Sequence, residues 1–105
     1  VKHRGSRDAN HADVVSMFER LGCTVADTAF AGVPNWPDLV VGCVGVNHLV
    51  EIKNPDTRYG RAGLNPGQSA FARDWRGGAI EVVESVEDAV TLVMSWRAHV
   101  RSAHA

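Results

Sequence analysis

Three residues in this chain have the types and spacing for phosphodiester chemistry: Asp38, Glu51 and Lys53. Side chains on a strand alternate between its two faces, so Glu51 and Lys53 of the run Leu49-Val-Glu-Ile-Lys53 share one face and Val50 and Ile52 the other. Asp38 opens the apolar run Leu39-Val-Val-Gly-Cys-Val44, and the glycine-containing stretch Gly45-Val-Asn47 turns the chain back on itself. An antiparallel return then brings Asp38 near Glu51. Two carboxylates meeting at one point repel each other unless a cation lies between them. Oxygen ligands without thiolates favour Mg²⁺ or Mn²⁺, which polarises a phosphoryl oxygen and orients a water. The Ile52 carbonyl is a further oxygen ligand, and Lys53 stands beside the ion to hold the water and offset the growing negative charge. A Glu-x-Lys tripeptide alone is more often a solvated strand end than a site, and its placement opposite Pro37-Asp38 is what raises it.

The elements that must position these groups can be read from periodicity. Val14, Met17, Phe18 and Leu21 form one helical stripe in residues 8–21, which Gly22 stops. A strand follows over 23–28, and residues 30–37 are too rich in turn formers for a central strand. After the hairpin, residues 54–66 carry Gly60 and Gly63 without periodicity and read as a mobile loop. A second helix opens with Asn65 as N-cap, Pro66 at its first position and Gln68 completing a capping box. Phe71 and Trp75 share its buried face, and Gly77-Gly78 ends it. Residues 79–84 form a strand, and Ser85 caps a last helix with Val86, Ala89, Val90, Val93 and Trp96 inward. The predicted order, α-β-β-β-α-β-α, is an α/β (α+β) domain with helices covering a mixed sheet, and 105 residues fit one domain, 1–105.

Composition excludes several classes. Net charge is -1, so the chain does not coat nucleic acid by bulk electrostatics. Its basic residues are grouped instead: Lys2, Arg4 and Arg7 near the start, and Arg58, Arg61, Arg73 and Arg76 past the centre. Glu81, Glu84, Glu87 and Asp88 form an acidic counterpart. No apolar run reaches the roughly 20 residues of a membrane-spanning helix, and the opening residues do not read as a signal-peptide pattern. Cys23 and Cys43 read as reduced, buried small hydrophobes of a cytoplasmic protein, and neither they nor the five histidines have the spacing of a structural zinc site.

Taken in order, the motifs resemble a known family. Pro37-Asp38 with Glu51-Ile52-Lys53 matches the PD-(D/E)XK nuclease signature. The runs 8–15, 37–42, 49–53, 64–68 and 75–78 are similar to small stand-alone, phage-type VRR-NUC proteins, relatives of Holliday-junction resolvases. The resemblance implies a restriction-endonuclease-like core in a bacterial or phage-infected cell, with no nucleotide cofactor. It implies an Mg²⁺- or Mn²⁺-dependent endonuclease, working as a homodimer on branched or structured DNA. Asp38 and Glu51 become metal ligands and Lys53 the catalytic lysine. Asp13 stands where relatives offer a helical Glu to the metal; it is one methylene shorter, which points to a water-mediated contact in place of direct coordination, and it equally reads as an N3 residue below an Asn10 cap. Gln68 either touches the phosphate or water, or only caps its helix. Asn35-Trp36 is an insertion before Pro37, and Trp36 either stacks on a base or covers the hairpin's end. Arg4, Arg7, Arg58 and Arg61 are the candidates for phosphate contacts. Two other readings remain open at this point: a nicking, flap or exonuclease using the same site, and a catalytically silent nucleic-acid-binding module.

Overall fold

The structure, a computed structural model, describes residues 2–103, with the side chains of residues 2–9, Tyr59 and Ala103 outside the description. The elements in chain order are α1 (Lys2–Arg20), β1 (Thr24–Asp27), β2 (Leu39–Cys43), β3 (Val46–Ile52), α2 (Arg58–Arg61), α3 (Pro66–Asp74), β4 (Glu81–Val83) and α4 (Val86–Ala103). The strands form one sheet in sequence order, β1-β2-β3-β4. The first three are antiparallel neighbours, and β4 runs parallel to β3. This is the mixed α+β order expected from the sequence, with the one-turn helix α2 added. None of the described helices is long and apolar enough to cross a membrane.

Alternation along the strands sorts the sheet into two faces. Leu39, Val41, Cys43 and Val50 are buried on one of them, and β4 adds Val83. Val14 and Phe18 of α1 and Ala89, Val93 and Trp96 of α4 pack over that face and complete a single apolar cluster. Phe18 stacks on Trp96 at 5.8 Å, and the His48 ring lies parallel to Trp96 at 3.7 Å. Burial in this stack lowers the His48 pKa, while Glu81 pulls it the other way. The opposite face carries Asp38 and Glu51, away from the α1 and α4 residues of that cluster.

Local chemistry explains where the elements start and stop. At the end of α1, Gly22 has φ +90°, the Cys23 N–H donates to Phe18 O, and the Gly22 N–H donates to Glu19 O. That is a Schellman closure, available to glycine because it lacks the Cβ that penalises this conformation. The Arg97 side chain of α4 donates to the Leu21 carbonyl at the same end. Ser85 Oγ accepts from the Asp88 N–H, and Asp88 Oδ2 accepts from the Glu84 N–H, fixing the start of α4.

Several sequence readings need correction. Helix α1 begins at Lys2, so Asn10 lies inside it and is not its N-cap. The Asn10 amide nitrogen is buried with no hydrogen-bond partner among the described residues. The hairpin turn is Val44-Gly45, not 45–47, with both residues at positive φ (45° and 80°), as a two-residue type I′ turn requires. A β-branched residue seldom adopts that conformation, so Val44 read as the end of a strand. Residues 54–66, read as a mobile loop, contain α2 and are organised around Asn54: its carbonyl accepts from the Thr57 N–H and hydroxyl, and its side chain from the Asp56 N–H. Helix α3 has no buried residue and ends with Trp75 as its C-cap, ahead of the glycine pair. Phe71 and Trp75 are therefore outside the core cluster and the partly buried residues packed against it.

Cys23 and Cys43 are free and buried. Continuing the register of β1 and β2 one step beyond Thr24↔Gly42 sets them opposite each other. Burial, together with a hydrogen bond to Cys43, pushes the Cys23 thiol up to about 12, so it is a core hydrophobe and not a nucleophile.

Candidate active site

The hairpin register decides the position of the two acids. Leu39 pairs with Val50, so the next step outward sets Asp38 opposite Glu51, and cross-strand partners share a face. The Ile52 N–H donates to Asp38 Oδ2 at 2.8 Å, which fixes the Asp38 carboxylate against β3. Behind it, Pro37 is fully buried, its carbonyl accepts from the Thr28 hydroxyl at 2.9 Å, and the Asp38 carbonyl accepts from the Thr28 N–H at 2.8 Å. Glu51 and Lys53, two residues apart on the same face, are each only 5 % exposed. Withdrawing two charges this far from water costs several kcal/mol each unless they are compensated. A strand that ended merely in a solvated Glu and Lys would leave them in water.

Lys53 is held at both ends. Its N–H donates to Val83 O at 2.8 Å, tying the end of β3 to β4. Its Nζ donates to Gln68 Oε1 at 2.9 Å. Gln68 also completes the predicted capping box: its Oε1 accepts from the Asn65 N–H at 3.1 Å, and its N–H donates to Asn65 Oδ1 at 2.9 Å. Gln68 thus caps α3, as the sequence suggested, and reaches the Lys53 ammonium with the same oxygen.

Asp38, Glu51, Ile52, Lys53 and Gln68 line a single cleft of about 260 Å³, together with Trp36. The far wall is Asn54, Thr57 and Gly60, where α2 begins. A Cβ built on Gly60 would fall 1.9 Å from Asn54 O, so only glycine allows α2 to pack this closely on the end of β3. Asn54 is buried at 8 % exposure and was missed in the sequence, where Asn54-Pro55 signalled nothing beyond the start of a loop. Asn35 was also passed over as a site residue. It lines the cleft with φ 62°, and a Cβ on Gly67 would meet its Oδ1 at 2.5 Å, so its amide packs against the first turn of α3.

A solved structure named "VRR_NUC domain" superimposes on this chain with a TM-score of 0.61 and 26% sequence identity, covering 85% of this chain and 95% of that one. The chain has the fold of a VRR-NUC domain. This is the PD-(D/E)XK nuclease fold that Pro37-Asp38 and Glu51-Ile52-Lys53 resemble in sequence. No protein-family model matches the chain, and no curated protein matches it.

Within the VRR-NUC fold, the remaining sequence candidates fall in different places. Asp13 is exposed on α1, and no group of three His, Cys, Asp or Glu side chains able to hold a metal forms among the described residues. Asp13 therefore does not join Asp38 and Glu51 in a three-acid cluster, and as an interior residue of α1 it is not at N3 either. Arg58 and Arg61 are exposed on α2, beside the Thr57–Gly60 wall, and Arg61 donates to Pro55 O at 3.2 Å. Trp36 packs edge-on against Phe71 and Trp75 of α3. The side chains of Arg4 and Arg7 lie outside the described residues.

Proposed function

We propose that this chain is a metal-dependent deoxyribonuclease that hydrolyses phosphodiester bonds, with Asp38 and Glu51 as metal ligands and Lys53 as the catalytic lysine. The observation that supports it is one cleft lined by both acids, the lysine and the glutamine that holds it. The donor set fits Mg²⁺ or Mn²⁺. It offers carboxylates and the Ile52 carbonyl without thiolate, and Mg²⁺ characteristically takes one or two carboxylates and completes its shell with water and phosphate. Two acids, with no third beside them among the described residues, suit that habit. Once bound, the ion would polarise a phosphoryl oxygen and orient the attacking water.

The side chains supply the rest. Asp38 accepts the Ile52 N–H through Oδ2, which leaves Oδ1 as the oxygen that would bind a metal ion. The Lys53 ammonium, steered by Gln68 Oε1, places a positive charge beside the phosphoryl group. There it stabilises the additional negative charge of the transition state, and it can hold the water by hydrogen bonding. Arg58 and Arg61 meet flanking phosphates on the α2 side of the cleft, and Arg4 and Arg7 add a further basic segment. One cleft cuts one strand, so symmetric cutting of branched DNA such as a four-way junction requires a homodimer.

Labelled linear, flapped and four-way DNA, incubated with Mg²⁺, Mn²⁺ or chelator, tests this reading. Cleavage that requires the metal supports it, and the substrate that is cut best separates junction resolution from nicking, flap or exonuclease action. Cleavage in chelator, or none on any DNA with either metal, contradicts it. A protein that stays monomeric on a junction yet cuts both strands symmetrically contradicts the dimer.

A further inference from the structure

Helix α3 is held to the body of the domain without a single buried side chain. The rings that attach it are Phe71 and Trp75, stacked on each other at 5.4 Å, with Trp36 meeting Phe71 at 5.9 Å and Trp75 at 5.7 Å, both nearly perpendicular. Each is a favourable aromatic geometry, and together they fix the Trp36 ring from the α3 side. On its own chain Trp36 is fixed by its N–H bond to Val33 O and by the fully buried Pro37 that follows. A tryptophan braced in this way is still only half-buried, and it lines the acidic cleft. Val33, itself exposed, lines the same cleft, and Trp75, 40 % exposed, lies outside its lining. Trp36 and Val33 thus add an apolar margin to a cleft whose lining is mostly polar.

Distance limits what this margin can meet. Trp36 is two residues from Asp38, a span of at most about 7 Å of extended chain. Successive phosphates of one duplex strand advance 3.4 Å along the helix axis. A strand with a phosphate at Asp38 therefore runs past Trp36 in the same cleft, where a base swung out of its stack can meet the ring. Inside a continuous duplex those bases are stacked on their neighbours and offer no face. Bases in single strands, flaps and branch points do.

We infer that Trp36, braced by Phe71 and Trp75, is a stacking platform for an unpaired base beside the scissile phosphate, so that the enzyme selects strands with an unstacked nucleotide at the cut. The inference rests on the nuclease reading, since it takes DNA as the ligand. The platform sets specificity and leaves the chemistry to the acids and the lysine. Stacking one base on an aromatic ring is worth about fivefold to a hundredfold in affinity, and it is tolerant of base identity.

The test is binding in chelator, where no metal chemistry intervenes, of a short oligothymidylate and of a duplex of equal length. The wild type should show tryptophan emission quenched by the single strand. Trp36→Ala should lower the single-strand to duplex affinity ratio about tenfold, and Trp36→Phe should largely preserve it. Unquenched wild-type emission overturns the inference, and this measurement stands even if Trp36→Ala fails to fold. An unchanged ratio in a folded Trp36→Ala also overturns it. So does self-association through this face, seen as a concentration-dependent doubling of mass lost in Trp36→Ala without quenching by DNA. Parallel cleavage in Mg²⁺ separates the two claims: quenching without cleavage removes the nuclease reading alone, and cleavage without quenching removes the platform alone.

Discussion

The Lys53 ammonium and the Gln68 side-chain carbonyl meet at 2.9 Å, so the start of α3 and the end of β3 are joined through the lysine assigned to catalysis. Gln68 serves the capping box with the same oxygen. Gln68→Ala should lose the side-chain half of the capping box, one hydrogen bond worth about 0.5–1.5 kcal/mol, while Asn65 still caps the residue-68 N–H, and should also lower the cleavage rate by releasing Lys53. Gln68→Glu keeps an acceptor that can complete the box and should retain the stability. Urea midpoints and single-turnover rates on both variants separate the two roles. Equal activity in Gln68→Ala and wild type would mean that Lys53 needs no steering.

Lys53→Ala should reduce cleavage by about a hundredfold to a thousandfold, the usual effect of removing one group that stabilises transition-state charge. Binding of DNA in chelator should survive, because the exposed Arg58 and Arg61 are untouched. A rate within a few-fold of wild type would remove Lys53 from the mechanism.

Two glycines next to the cleft should respond differently to a single methyl group. In Gly60→Ala the new Cβ meets backbone, Asn54 O at 1.9 Å and Asn54 C at 2.6 Å, so α2 must move away from the end of β3. Overpacking of this kind costs roughly 1–3 kcal/mol and here should also impair cleavage. In Gly67→Ala the clash is with the Asn35 amide, a side chain that can rotate away. The urea midpoint of Gly67→Ala should lie closer to wild type than that of Gly60→Ala, and the reverse order would contradict the packing described.

The sheet carries a pH dependence through His48. Burial against Trp96 lowers its pKa in the folded state below the ordinary value near 6.5. Below that value the unfolded chain takes up a proton that the folded chain resists, so this contribution to stability is present above about pH 6.5 and is lost as pH falls through the lowered folded value. His48→Phe, which keeps a flat ring against Trp96, should weaken the decline in urea midpoint between neutral and mildly acidic pH. An identical decline in both proteins would assign it to other groups.

Much of this was legible in the sequence because the signals were local and periodic. Val14 and Phe18 mark the buried stripe of α1, Gly22 its end, and Asn65 with Gln68 the start of α3. The hairpin return brought Asp38 near Glu51 in the sequence, but their common face follows from the Val44-Gly45 turn and the Leu39↔Val50 register. What escaped was set by tertiary context. Val44 takes a left-handed conformation that its side chain disfavours, because the hairpin closes on two residues there. Asn54 became buried only because α2 folds back over it, and Gly60 allows that approach. The aromatic face of α3 looked like a core face by spacing, yet its partner is Trp36 of a loop 35 residues earlier than Phe71. Asp13 matched a family position by order alone, and the helix turns it to solvent.

Glu51 is the residue on which the metal-centred account depends most. The decisive measurement is the single-turnover rate of DNA cleavage at saturating Mg²⁺ by wild type and by Glu51→Gln, a change that preserves shape and removes only the charge. The account predicts metal-dependent cutting by the wild type and a loss of at least about a hundredfold in a folded Glu51→Gln, comparable to removing a principal charge-stabilising group. Cutting at the wild-type rate by the folded variant would contradict it.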